Sequence, residues 1–174
     1  MSLSLPRQFL LLCLFRIGPQ DLPAGGWPVL VAALGYLLVS VLGFGPALGH
    51  GDVAVEAMTD ILVLAAYIGA LLRLRGHPER YFQTLTAAYG LNFMLGLLAW
   101  PIIATEPGLL GEVNPDTFQA SLPDYLLLGL LFWNLMVLGH VLRHALQLQL
   151  WQGFLAALAY LILSVLALDW LDVA

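Results

Sequence analysis

Lysine is absent from the 174 residues, and the basic side chains are six arginines against eleven acids. Charged residues make up only 10% of the chain, too few to cover a soluble fold of this length in polar groups. That scarcity excludes a water-exposed enzyme, and so few cations make nucleic acid an unsuitable partner. The single cysteine, Cys13, cannot close an intramolecular disulfide, so helix packing must hold the fold. The sequence also lacks Gly-x-Ser-x-Gly, His-Glu-x-x-His, the phosphate-cradling Gly-x-x-x-x-Gly-Lys-Ser/Thr and Cys-x-x-Cys. Ser40 and Ser164, the serines within apolar stretches, have no histidine beside them in sequence. The expectation is a non-enzyme without a cofactor.

What is present is apolar: 61% of residues, with a mean hydropathy of +0.90. A helix needs roughly 20 mostly apolar residues to cross a hydrocarbon core of about 30 Å. Five segments qualify, at about Trp27–Leu48, Val53–Leu72, Phe82–Ile103, Tyr125–Leu142 and Leu150–Leu168, each bounded by Pro, Gly, Asp or Arg clusters. The expected class is therefore an all-α polytopic membrane protein of one domain. No internal repeat or low-complexity tract stands out. The apolar run Phe9–Phe15, bracketed by Arg7 and Arg16, is too short to span. It reads as an amphipathic helix over about residues 5–17, lying in the membrane interface with its apolar face in lipid.

Charge distribution orients the spans. Arg7 and Arg16 precede span one, Arg73, Arg75 and Arg80 separate spans two and three, and Arg143 separates spans four and five. All six fall on one side, where they read as basic anchors at the membrane interface. Asp52, Glu56, Asp60, Glu106, Glu112, Asp116, Asp124, Asp169 and Asp172 fall toward the other. The positive-inside rule then places the N-terminus in the cytoplasm and the C-terminus outside. The missing lysine, beside heavy use of Ala, Leu, Gly and Arg, points to a GC-rich bacterial gene, hence a bacterial inner membrane and a periplasmic C-terminus. The outer stretch Ala104–Pro123, rich in Pro, Gly and acids, reads as a turn-rich loop or a short interfacial helix.

Three pairs of polar residues are candidate sites. Glu56 and Asp60 are four apart, so both carboxyls project from one helical face. Carboxyls at membrane depth imply a partner or a pathway, here a cation or proton site. The bland alternative puts Glu56 among headgroups at the outer end of span two, with Asp60 one turn inside. Asn92 and Asn134 are amides deep in apolar sequence and should face the bundle, bonding between helices. His140 and His144 repeat the spacing of four, a low-ranking metal site because zinc wants four ligands and the acids lie at the other membrane face. Interfacial anchoring is the stronger reading of that pair. Gly35, Gly69, Gly90, Gly96 and Gly139 supply close-approach positions.

Two stretches carry a resemblance: Gly76-His77-Pro78-Glu79-Arg80-Tyr81-Phe82 running on through Gln83 to Gly90, and Trp133 to His140 followed by Leu148-Gln149-Leu150-Trp151. With Pro6-Arg7-Gln8-Phe9 they resemble the Yip-domain (Rab/Ypt-interacting-protein-like) family of small five-span membrane proteins, whose eukaryotic members associate with Rab-type GTPases. The resemblance implies five spans and an inside N-terminus. The Asp-Leu-Tyr-Gly-Pro-type motif and long N-terminal region of eukaryotic members are not in this sequence. The leading functional expectation is a protein that packs with membrane lipids and with other membrane subunits or itself, organising a larger assembly. The rival is a small transporter or lipid-moving protein with an outward acidic site at Glu56 and Asp60. Which way those carboxyls face separates the two.

Overall fold

The computed structural model describes residues 4–105 and 120–173, and among these every regular element is helical. A nine-residue helix α1 (Leu5–Cys13) precedes five long ones. These are α2 (Gly26–Leu48), α3 (His50–Leu74), α4 (Tyr81–Thr105), α5 (Leu122–Leu146) and α6 (Leu150–Val173). Each has 23 to 25 residues, about 35 Å at 1.5 Å per residue, which is enough to cross a membrane. All five are also apolar enough to do so, and the chain is an all-α polytopic membrane protein. The helices outrun the apolar limits read from sequence, because backbone hydrogen bonding continues into polar flanks. α3 and α5 each start three residues early, at His50 rather than Val53 and at Leu122 rather than Tyr125. The acids Glu106, Glu112 and Asp116, with most of the expected outer loop, lie outside the described residues, as does the side chain of Asp172.

Turn chemistry explains how the spans follow one another so closely. Gly49 alone separates α2 from α3 and adopts φ +97°, a backbone conformation that side-chain-bearing residues rarely take. Between α3 and α4, the chain turns through Gly76 at φ +73° and a 3-10 turn at Pro78–Arg80. There Arg80 Nη1 donates to the His144 and Ala145 carbonyls at 3.2 and 3.1 Å, satisfying the last acceptors of α5. Arg80 is thus a helix cap, whereas Arg73 and Arg75 are exposed.

α4 is the central helix. Residues 84–91 are all buried, and the Thr84 and Thr86 hydroxyls bond back to the Arg80 and Phe82 carbonyls at 2.8 Å. A helix that is apolar all round belongs inside, and α4 accordingly touches α1, α2, α3 and α5. α6 completes the bundle against α5 and α3. The α5–α6 contact is backbone on backbone: a Cβ placed on Gly153 would lie 2.4 Å from the Gly139 carbonyl oxygen. Gly139 was legible as a close-approach position, and Gly153, its partner, was not singled out.

The N-terminal segment corrects one expectation. α1 is amphipathic, but its apolar face is seated on protein rather than immersed in lipid. Phe9, Leu12 and Cys13 are buried, with the Phe9 ring filling the space left by the missing side chain of Gly90. Trp133 Nε1 donates to the Cys13 carbonyl at 3.0 Å, and Gln83 Nε2 donates to the Leu22 carbonyl at 3.0 Å. Leu10, Leu14 and Phe15 remain exposed for the surrounding interface.

Candidate functional site

Each of the five spans places a polar side chain within two residues of its own midpoint: Tyr36 on α2, Asp60 on α3, Asn92 on α4, Asn134 on α5 and Tyr160 on α6. Polar groups in the middle of apolar spans are costly unless they are hydrogen-bonded. Asn134 Nδ2 donates to Asn92 Oδ1 at 2.9 Å, closing α4 onto α5. Tyr89 Oη donates to the Ile61 carbonyl at 2.8 Å, and Tyr67 Oη to the Ala156 carbonyl at 2.7 Å.

Asp60 is the centre of the belt. It lies ten residues into α3, about 15 Å from the helix start. Tyr36 Oη donates to Oδ2 at 3.0 Å; Tyr160 Oη and Ser164 Oγ both donate to Oδ1 at 2.5 Å. Three hydroxyls from the two helices flanking α3 therefore converge on one carboxyl. Residues four apart share a helical face, so Tyr160 and Ser164 reach the same oxygen together.

These donors went unrecognised in the sequence, yet they carry a signal. Trp27 to Gly43 on α2 and Trp151 to Ala167 on α6, a constant 124 residues apart, match at nine of seventeen positions. The matches include Tyr36 with Tyr160 and Ser40 with Ser164. The two segments thus repeat a Trp, Tyr, Ser pattern at the same spacing, and these two copies clasp Asp60 from either side. Both serines are buried, and the copies differ in use: Ser164 bonds Asp60, while Ser40 lines a cavity.

That cavity has a volume of about 620 Å³, within the usual range for small-molecule sites. Glu56, Asp60, Asn92 and Asn134 all line it, so the structure brings the two candidate pairs to one place. The remaining wall includes Tyr36, Ser40, Phe44, Leu95 and, from α5, Leu127, Leu128, Leu130 and Leu131. Among the described residues, none that lines it is basic.

The histidines lie elsewhere, at the end of the bundle that carries the arginines. His140 and His144 have ring centroids 4.5 Å apart, and among the described residues no group of three metal-ligating side chains occurs. His140 Nε2 lies 3.2 Å from the Ile17 carbonyl, and its ring meets the edge of Phe15, so it pins the segment after α1. Outside the spans, burial pushes the Cys13 thiol up to about 11, leaving it an inert core group. Arg7 lies in the first turn of α1 and Arg16 just beyond its end, and Arg143 packs its stem against α6 at Gly153.

Compared with protein-family models, with curated proteins and with solved structures, the chain matches none.

Proposed function

We propose that this protein binds a cation within the membrane, at the cavity lined by Glu56 and Asp60, and carries or senses it there without catalysing a reaction on it. One observation supports the reading above the rest: both carboxyls line a cavity to which all five spans contribute. A carboxyl at the middle of a membrane is expensive to maintain, and a cavity around it gives the expense a use. Glu56 and Asp60 are one turn apart, so a cation between them meets two acids, with the amide oxygens of Asn92 and Asn134, which line the same cavity, as neutral ligands. The positive-inside rule puts the arginine end in the cytoplasm and the C-terminus in the periplasm of a bacterial inner membrane. The same five-span plan with an inside N-terminus is implied by the resemblance to the Yip-domain family. Organising a larger assembly is the rival, and the inward carboxyls favour the cation reading over it.

The test uses the whole protein in lipid nanodiscs, heated with sodium, potassium, magnesium, tetramethylammonium or dodecylammonium chloride at matched ionic strength. A ligand at 100 times its dissociation constant stabilises by about 2.7 kcal/mol. At least one cation should raise the unfolding midpoint of the wild type and leave Glu56→Gln/Asp60→Asn unmoved. Equal midpoints for all five cations and both proteins would refute the proposal.

A further inference from the structure

Two hydroxyl pairs of the same spacing flank Asp60, Tyr36 with Ser40 on α2 and Tyr160 with Ser164 on α6, and the structure uses them unequally. On α6 both hydroxyls donate to Oδ1. On α2 Tyr36 donates to Oδ2, while Ser40, as buried as Ser164 at 7% exposure, makes no corresponding bond to the carboxyl. Among the described residues, Oδ1 thus has two donors and Oδ2 one.

The difference falls on the cavity side. Tyr36, Ser40 and Asp60 line the cavity, whereas neither Tyr160 nor Ser164 does. α2 runs from the arginine end outward, so Ser40 lies one turn nearer than Tyr36 to the end where the cavity reaches Leu48 and Leu168. The Ser40 and Tyr36 hydroxyls interact. A tyrosine hydroxyl has one proton, and that of Tyr36 goes to Asp60, so the proton between the two hydroxyls comes from Ser40. The protons therefore run from Ser40 to Tyr36 to Asp60, leaving acceptor lone pairs on Ser40 Oγ and Asp60 Oδ2 at the cavity wall.

We infer that the cation sits on Oδ2 of Asp60, with Ser40 Oγ and Tyr36 Oη as neutral ligands, and that it is an alkali-metal ion. This rests on the cation reading above and adds to it the seat and the class of ion. The three ligands are oxygens, and His, Cys and Met are absent from the described lining, which suits a hard cation. One carboxylate oxygen among neutral oxygens balances a single charge, and an excess charge at this depth is costly to bury. The cavity, at about 620 Å³, has room for the waters that complete the coordination. Glu56, about 6 Å farther out along α3, has an interaction of its own and meets the ion on its way in. Tyr160 and Ser164 hold the other oxygen of Asp60, so the carboxyl is oriented before the ion arrives.

The experiment follows the unfolding midpoint of the full chain in nanodiscs against sodium, potassium, magnesium and dodecylammonium chloride, with tetramethylammonium chloride holding ionic strength constant. Sodium or potassium should raise the wild-type midpoint. Ser40→Ala should need about tenfold more of that ion for the same rise, a difference of about 1.4 kcal/mol, with its midpoint in tetramethylammonium unchanged. Ser40→Cys, which keeps the size and replaces oxygen by soft sulfur, should weaken the response as well, so a packing defect in the alanine variant cannot decide the matter. Ser40→Thr keeps the hydroxyl and should restore it. Ser164→Ala should lower the midpoint in every salt and still respond to the ion, because the bond it removes lies on the other oxygen of Asp60. An undiminished response in Ser40→Ala, or a larger loss in Ser164→Ala, would overturn the seat and leave the cation reading intact. A response to magnesium or dodecylammonium alone would overturn the alkali ion in the same way. Equal midpoints in every salt would overturn the seat and the cation reading together.

Discussion

Substituting Gly153 by alanine tests how the second copy of the repeat is held against the bundle. The added Cβ would lie 2.4 Å from the Gly139 carbonyl oxygen, 2.7 Å from Arg143 Cβ and 3.2 Å from Arg143 N. An ordinary contact needs about 3.4 Å, so α5 and α6 must part by about 1 Å. Two of the three obstacles are backbone, which cannot swing aside as a side-chain tip can. Overpacking of this kind costs about 1–3 kcal/mol, partly offset by up to about 1 kcal/mol from replacing a helical glycine with alanine. The net expectation is a loss of about 1–2 kcal/mol, or about 2–8 °C in midpoint for a chain of this size. Gly129→Ala is the matched control, since a Cβ there meets nothing within 4 Å and should stabilise instead. Cys13 is 7% exposed in the folded chain, so a fluorogenic thiol reagent reports unfolding without any engineered label. Circular dichroism of the helices should give the same order. If Gly153→Ala gains stability as Gly129→Ala does, the α5–α6 backbones do not meet at this point and the placement of Tyr160 and Ser164 loses its support.

Three further expectations follow from the belt and its surroundings. Asn92→Leu and Asn134→Leu should each destabilise by about 1–2 kcal/mol by stranding the other amide, while the double variant recovers about 0.6–1.7 kcal/mol of the sum; strict additivity in the thermal midpoints would contradict the hydrogen bond. Tyr160→Phe should cost about 1 kcal/mol in the wild-type background and much less beside Asp60→Leu, because its hydroxyl then has no carboxyl to serve; equal costs in both backgrounds would dissociate the two residues. Cys13, with its thiol raised from 9.0 to about 11, should be alkylated at pH 8 about 100-fold more slowly than in the denatured chain on ionisation alone, which stopped-flow labelling would measure. Since the folded chain holds that proton more tightly than the unfolded one, the associated stability is fully present below pH 9 and is lost as pH rises toward 11.

The five spans were legible because length and hydropathy alone decide whether a helix can cross a bilayer. The acid and amide pairs were legible because a carboxyl or an amide interrupts an apolar run visibly. The start of the second span was less legible, since counting apolar residues begins it at Val53 whereas hydrogen bonding starts α3 at His50. Tyr36, Tyr160 and Ser164 escaped notice because their hydroxyls sit on residues that hardly disturb hydropathy. The repeat containing them is blurred by exchanges among Val, Leu, Ile, Gly and Ala. Amphipathicity in α1 says that one face is buried without saying against what, and the bare Gly90 backbone supplies the answer only once α4 is in place.

Accessibility of the cavity to a charged reagent tests the central claim most directly. In a Cys13→Ser background, cysteine is introduced at Leu95, which lines the cavity, and at Leu62, which is 65% exposed on α3 and within a residue of that helix's midpoint. A membrane-impermeant cationic methanethiosulfonate is then applied from each side of sealed vesicles. The cavity reaches Leu48, Val53 and Leu168, near the helix ends away from the arginines, so the account predicts fast modification at Leu95→Cys from that side and none at Leu62→Cys. Equal rates at the two positions, or a silent Leu95→Cys from both sides, would contradict a cation-admitting cavity at Asp60.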